Sequence, residues 1–503
     1  MLFWLTRQFA NPTIEEILFC LTTSISGTDF NTIFKFIITV FVPAIIYTCM
    51  YFLIFKYLKD EKKQKIYRIL LLIFALCEIA VMGLYAQKKL NVVGYFKAQK
   101  NDSTFIKDNY VKVDYSQIKV PTQKNNLIVI YLESMESTFS SIQKGGKYKK
   151  NYIPNLTKIA ENNISFSDSE KMGGAQVING LTWTTAGLLG TTAGINIKTT
   201  ISNVNSLQYS YSNLLTLGDV LEESGYNMMF SLGSISTFGG IKSYLSSHGT
   251  YIIHDYDYYK KNRLFESKDE SGWGLTDKKL YALAKDEITA LSKEDKPFYY
   301  SLMTIDTHSP DGHCSSDCSK KCGDYFDTIE CADQRVNNFI EWLKKQDYYK
   351  NTTIVILGDH LSMSTSVKLE NNERRVYNAF INSVVKKNNT TNRTFTNMDI
   401  YPTILASLGY ELPDDKIALG TNLFSDKKTL AEEYGFYDFY NNMSATSSFY
   451  NKYILKWGRI IYFAFLNCLK SVKIKIGEII WKKKYLNLLM FTRNMDFLVF
   501  VKS

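Results

Sequence analysis

Two carboxylates, an imidazole and a threonine hydroxyl in this chain are placed where they could hold a divalent cation and attack a phosphate. Glu133 stands in Tyr131-Leu132-Glu133-Ser134-Met135-Glu136, directly after the apolar run Leu127–Leu132. Asp359 and His360 stand in Gly358-Asp359-His360-Leu361, directly after the run Thr353–Leu357. Both runs are short and rich in Ile and Val, which is the pattern of a strand buried on both faces. In open α/β sheets active sites gather at the carboxyl ends of such strands. Two carboxylates and one imidazole arriving there form a hard-cation or zinc-like site. Thr184, in Gly180-Leu181-Thr182-Trp183-Thr184-Thr185-Ala186-Gly187, follows Gly173-Gly174 and opens a predicted helix. A hydroxyl at a helix start meets free amide donors and the positive end of the dipole, which suits attack on an anionic ester. The plainer alternative for Thr184 is an ordinary N-cap, and for Glu133 a surface acid near a helix start, where Glu136 could also cap. A third strand end, Met303-Thr304-Ile305-Asp306-Thr307-His308, adds Asp306 and His308. His308 could contact a phosphate or protonate a leaving oxygen, or serve as a hydrogen-bonded loop residue.

The elements that must position these groups follow from periodicity. From Lys124 to about Asp426 short apolar runs alternate with amphipathic segments. Met228–Leu232 and Phe298–Ile305 read as strands, Lys278–Leu291 and Asp333–Lys345 as helices. Such alternation predicts an α/β fold with a largely parallel central sheet over residues 124–430. Upstream, residues 36–55 form a run without charge, long enough to cross a bilayer, and residues 69–86 are a second, shorter candidate that contains Glu78. The loop between them, Lys56–Arg68, carries six basic residues and belongs on the cytoplasmic side. Two crossings then put the catalytic region outside. Residues 1–90 are thus a membrane region with transmembrane helices, and residues 91–123 read as a polar linker.

Net charge is +10, but from Asn451 onward eleven basic residues face two acidic ones, so nearly all of it lies in the tail. Residues 431–503 read as a basic amphipathic tail, since Trp457, Phe463, Phe465, Ile479, Ile480 and Trp481 alternate with the lysines. An anionic membrane surface is the partner this pattern predicts, and nucleic acid is not. Cys314, Cys318, Cys322 and Cys331 cluster in a polar loop. Two disulfides there would suit an oxidising compartment, with a structural zinc site as the alternative.

Taken together, Asn126–Glu136, Gly180–Gly187 with Gly194-Ile195, Asp306-Thr307-His308 with Pro310-Asp311-Gly312, Cys331–Gln334, Asp359–Met363 and Met398–Thr403 resemble one family. It is the phosphoglycerol transferase, lipoteichoic acid synthase-like branch of the alkaline phosphatase/sulfatase superfamily, and the likeness is greatest to the periplasmic glucan-modifying enzymes. The resemblance extends to Asn11–Phe19 and covers roughly residues 10–430. It implies that Glu133, Thr184, Asp359 and His360 hold a divalent metal, manganese first, with magnesium or zinc as alternatives. Thr184 would be the nucleophile. His308, Asp306, Trp183 and a basic residue, here Lys242, would bind substrate, although Lys242 is displaced by one position from the family pattern. The implied reaction moves phosphoglycerol from phosphatidylglycerol to a glycan acceptor through a covalent threonine ester. It would occur at a bacterial inner membrane, with the catalytic domain facing the periplasm or the exterior. A phosphoethanolamine transferase acting on a surface glycan or lipid A is the runner-up. A sulfatase activity would need a Cys/Ser-x-Pro-x-Arg motif, where this chain has Thr184-Thr185-Ala186-Gly187.

Overall fold

The computed structural model describes residues 2–22, 28–198, 211–314, 318, 323–386 and 389–455. At its centre is a six-stranded sheet: β1 (Asn126–Leu132), β2 (Asn227–Leu232), β3 (Tyr251–His254), β4 (Phe298–Met303), β5 (Thr352–Gly358) and β6 (Asn378–Ile381). Their order is β3-β2-β4-β1-β5-β6, with every pairing parallel except β5 with the edge strand β6. The predicted α/β class is therefore the one observed.

The period of two along β1 explains the layering. Leu127, Val129 and Tyr131 enter one apolar cluster, and Ile128, Ile130 and Leu132 enter another. Both sets are removed from solvent, which is why the strand reads as an uninterrupted apolar run. The N-terminal part consists of α1 (Leu2–Gln8), α2 (Ile14–Thr22), α3 (Phe30–Tyr57) and α4 (Glu61–Leu90). In the body, α5 (Thr184–Ala193) and α8 (Asn397–Ser407) contribute to the first cluster. The second cluster is built with α6 (Asp277–Leu291) and α7 (Tyr325–Leu343).

Helices α3 and α4 contain the two apolar runs and are longer than them. Their most apolar windows have mean hydropathy 2.3 and 2.5, and neither window is buried by protein. Asp60 caps α4 by accepting from the backbone of Lys62 and Lys63, which fixes the turn between them. Residues before α3 and after α4 both touch the catalytic body, so they share one side of any bilayer that the two helices cross.

Two boundaries differ from expectation. Residues 91–123 are not a free linker: Phe105, Ile106, Val113 and Ile118 are buried in the first cluster. These apolar residues stand singly among polar ones, so composition alone hides their anchoring role. The body also continues past residue 430, since Phe439, Met443, Tyr450, Ile454 and Leu455 join the same cluster. The remainder of the predicted basic tail, from residue 456, lies outside the described residues.

Candidate active site

Strand register brings the two carboxylates together. Leu132 of β1 pairs with Gly358 of β5, so Glu133 and Asp359 leave adjacent strands side by side. Gly358 has no positive φ; its role is close approach, because a Cβ there would come 1.9 Å from the Met135 carbonyl oxygen. The ligand atoms of Glu133, Asp359 and His360 all lie within 4.8 Å of one another, and all three residues are buried. Thr184 opens α5, and its hydroxyl sits 3.3 Å from Glu133 Oε2 and 3.3 Å from His360 Nε2. Gly187 sets that approach: a Cβ on it would lie 2.1 Å from the Asp359 carbonyl oxygen. Of the neighbouring threonines, Thr185 donates to the Gly239 carbonyl and the buried Thr182 hydroxyl has no hydrogen-bond partner among the described residues, so of the three it is Thr184 that bonds to the cluster.

A second layer of hydrogen bonds aims these groups. Asp359 Oδ1 accepts from the backbone amides of Ser134 and His360, each at 2.8 Å, while Oδ2 makes no hydrogen bond and lies 3.5 Å from His360 Nε2. His360 Nδ1 donates to the Leu361 carbonyl at 2.7 Å, which turns Nε2 toward the cluster. The Ser134 hydroxyl donates to Glu133 Oε1 at 2.6 Å. Ser134 adopts φ 55°, a left-handed conformation held by these contacts. Thr304 accepts from the Glu133 amide, and Asn397 donates to the Asp359 carbonyl at 2.8 Å.

The charges are strongly coupled. Burial raises Glu133, but the imidazoles of His360 and His308 outweigh it and hold the carboxyl at about 2. Burial and the Glu133 charge push Asp359 up to about 7. For His360, burial opposes the charged form, yet Asp359 and Glu133 raise it to about 10. The cluster thus retains protons that a divalent cation would replace. Two carboxylate oxygens, one aimed imidazole nitrogen and a hydroxyl, with no thiolate, fit manganese, magnesium or zinc.

The remaining predicted residues divide. His308 donates from Nδ1 to the Ser309 carbonyl at 2.8 Å, and Trp273 covers its ring at a 4.0 Å centroid distance. Trp183, 6% exposed, packs beside the cluster as the residue before Thr184. Asp306 is 2% exposed and engaged by protein groups. It is buried against Arg335 and accepts from the Asp277 amide, so its role is to tie the β4 loop to α6 and α7. Lys242 is exposed on the short helix Ile241–Ser246, and no described hydrogen bond or ion pair joins its ammonium to the cluster. Cys318 and Cys331 form a disulfide with their Cα atoms 5.7 Å apart; Cys314 is also disulfide-bonded, and Cys322 lies outside the described residues.

Sequence reasoning missed several supporting groups. Glu136 is no helix cap: it is fully buried, paired with Arg374, and accepts from the Ser362 amide. Trp273 and Asn397 act at a distance in sequence that no local motif reveals, and Thr304 and Thr307 stand within the strand-end stretch but their hydrogen bonds to Glu133 were not read from it. Glu16 of α2 is also buried, raised to about 7 by desolvation, and within the field of His360.

Two carboxylates, an imidazole and a hydroxyl that could hold a divalent cation thus meet at the carboxyl edge of a mainly parallel sheet, as in an α/β enzyme. Residues 125–410, more than half of the chain, match the sulfatase family, and the chain belongs to it. Similar curated proteins include phosphoglycerol transferase I of Xanthomonas axonopodis pv. citri, 28% identical over 319 residues, covering 59% of this chain and 43% of that protein. Phosphoglycerol transferase I of Salmonella choleraesuis is 29% identical over 321 residues, covering 61% and 40%. The chain therefore spans less than half the length of these relatives. Among solved structures, the lipoteichoic acid synthase LtaP from Listeria monocytogenes aligns with TM-score 0.47 at 18% identity, over 64% of this chain and 80% of that one.

Proposed function

We propose that the protein is a membrane-anchored, metal-dependent transferase that moves phosphoglycerol from phosphatidylglycerol to an extracytoplasmic glycan. The observation that carries this reading is the Thr184 hydroxyl, 3.3 Å from both Glu133 and His360 at the start of α5. The names of the curated relatives support phosphoglycerol as the transferred group. Threonine at this position, with no Cys/Ser-x-Pro-x-Arg motif, argues against sulfate ester hydrolysis.

Glu133, Asp359, His360 and Thr184 would hold the cation, manganese by preference, which supplies positive charge that acidifies the hydroxyl and offsets phosphate charge. Thr184 Oγ, its proton released to solvent as the cation binds, would form a bond to phosphorus as the bond to the diacylglycerol oxygen breaks. His308, whose Nδ1 is committed to Ser309, has Nε2 left to deliver a proton to that leaving oxygen. The same Nε2 would then take the proton of a glycan hydroxyl as that oxygen attacks the phosphoglyceryl-threonine, and Thr184 leaves as the alkoxide from which it started. The amides at the start of α5 favour negative charge in both steps. A membrane-anchored body facing the periplasm or exterior of a bacterial inner membrane would reach both a lipid donor and a surface acceptor, and the basic tail would bind anionic headgroups.

The test is intact mass of the full chain after incubation with manganese and phosphatidylglycerol, beside Thr184→Ala. A phosphoglyceryl adduct on Thr184 in the wild type alone is the expected result. An adduct formed only with phosphatidylethanolamine would replace the reading with a phosphoethanolamine transferase.

A further inference from the structure

The polypeptide ahead of the membrane helices is bound into the active site. Helix α1 lies against both of them: Trp4 meets Phe36 of α3 edge-on at 5.0 Å, and the Thr6 hydroxyl lies 2.7 Å from the Tyr85 hydroxyl of α4. The next residues cross the loop that follows the metal ligands. Phe9 bridges to Ser364, the Ala10 amide donates to the Met363 carbonyl at 2.7 Å, and the Asn11 side chain donates to the Leu369 carbonyl at 3.3 Å. Helix α2 then buries Glu15, Glu16 and Phe19. The Glu15 carboxylate accepts from Asn179 at 3.3 Å, ahead of the nucleophile segment.

The decisive contact is Phe19 with Trp183, whose ring centroids are 4.9 Å apart at an interplanar angle of 38°. Trp183 occupies the N-cap of α5 but makes no side-chain cap hydrogen bond. Its indole N–H is buried and has no hydrogen-bond partner among the described residues. The ring is therefore held by packing alone, and the residue that follows it is Thr184. A side chain without a polar tether takes its rotamer from its neighbours. Removing the Phe19 ring would free the indole and loosen the backbone from which the hydroxyl projects.

We propose that Phe19 is a positioning residue for Thr184: its ring fixes Trp183, and thereby the start of the helix that aims the nucleophile at the metal ligands. The proposal rests on Thr184 being the nucleophile. It also makes the segment before the first membrane helix a working part of the catalytic centre. Displacement of a reacting group by about 1 Å can cost on the order of 100-fold in rate, so a packing contact at this position is sufficient to matter.

The experiment uses the full chain in detergent micelles, as wild type, Phe19→Ala, Phe19→Leu and Phe19→Trp. Two quantities are read: amide hydrogen exchange across residues 181–190 and 126–132, and the single-turnover rate of adduct formation on Thr184 at saturating phosphatidylglycerol. Phe19→Ala should speed exchange over 181–190 while leaving 126–132 unchanged. It should lower the adduct rate about 10- to 100-fold with bound manganese unaltered. Phe19→Trp should restore both, and Phe19→Leu should fall between. Unchanged exchange over 181–190 in Phe19→Ala overturns the proposal whatever the lipid reactivity. Faster exchange over both segments equally also overturns it, since that is general loosening of the core. If the wild type forms no adduct with any lipid, the proposed function fails, and the exchange data still decide whether Phe19 holds the helix start.

Discussion

Glu136 and Arg374 offer a test of how the metal loop is held. Their side chains are 0% and 1% exposed. Arg374 Nε donates to Glu136 Oε2 at 3.1 Å and Nη2 donates to Oε1. The pair also clasps Ser362 from both sides: its amide donates to Glu136 at 2.9 Å, and its carbonyl accepts from Arg374 at 2.6 Å. Ser362 lies three residues beyond Asp359 in the loop that carries His360. Changing Glu136 to Gln leaves a guanidinium buried without its counter-charge, a loss of about 3–5 kcal/mol. The double change Glu136→Leu, Arg374→Met removes the isolated charge, and buried pairs replaced in this way are often near neutral. Two backbone groups of Ser362 would still be orphaned, at about 1–3 kcal/mol each. The double variant should therefore regain part of the stability lost in Glu136→Gln. Manganese affinity should not return in either, because the clasp on the loop is gone. Urea unfolding followed by tryptophan fluorescence, together with calorimetric manganese titration, reads both. A loss below about 1 kcal/mol in Glu136→Gln, or a double variant with full metal affinity, would refute the reasoning.

Three further outcomes follow from the geometry. Gly187→Ala should lose about 1–3 kcal/mol of stability and most of its adduct formation, because the added methyl would lie 2.1 Å from the Asp359 carbonyl oxygen; wild-type adduct yield in this variant would contradict the placement of α5. Manganese affinity should rise with pH, since His360 is held up at about 10 and Asp359 at about 7 in the metal-free state. One proton released per cation predicts about a tenfold gain per unit between pH 7 and 10, steeper below 7, and a pH-independent titration would exclude that competition. Asp399, which desolvation raises from 3.8 to about 7, binds its proton more tightly folded than unfolded. Its contribution is fully present below 3.8 and lost as pH climbs through about 7. Asp399→Asn should flatten the urea midpoint across that window, and an unaltered slope would count against it.

Sheet strands and body helices were legible because burial on both faces leaves uninterrupted apolar runs, and a one-sided helix leaves a period near 3.6. Glu133, Asp359 and His360 were legible for a related reason: polar groups directly after such runs have few structural uses. Thr184 could be distinguished from Thr182 and Thr185 only through the Trp-Thr-x-Ala-Gly resemblance, and the tight packing of Gly187 gives that pattern its physical basis. The partner of Asp306 was not legible, because a strand-end acid looks alike whether it faces a substrate or an arginine on a distant helix. Arg335 lies 29 residues away, and nothing local announces the pairing. The N-terminal segment was hidden differently. Its short amphipathic helix sits beside membrane spans, and only tertiary contact shows that Phe19 reaches Trp183, next to Thr184.

The position of β1 in the sheet governs when Glu133 and Asp359 can first meet. β1 is among the earliest strands in the chain yet lies in the middle of the sheet, between β4 and β5. Its partner for Asn126 is Thr352, so the register that sets Glu133 beside Asp359 links distant stretches of sequence. At a synthesis rate of about 5–20 residues per second, the first strand waits on the order of tens of seconds for that neighbour to be made. Until β4 is made both edges of β1 are open, the edge that β5 will cover stays open for the whole interval, and the strand's apolar faces need shelter from other chains. The cluster cannot assemble in the meantime, because Asp359 and His360 do not yet exist. Any cation held by these residues would thus be loaded late, in the compartment where the sheet finally closes.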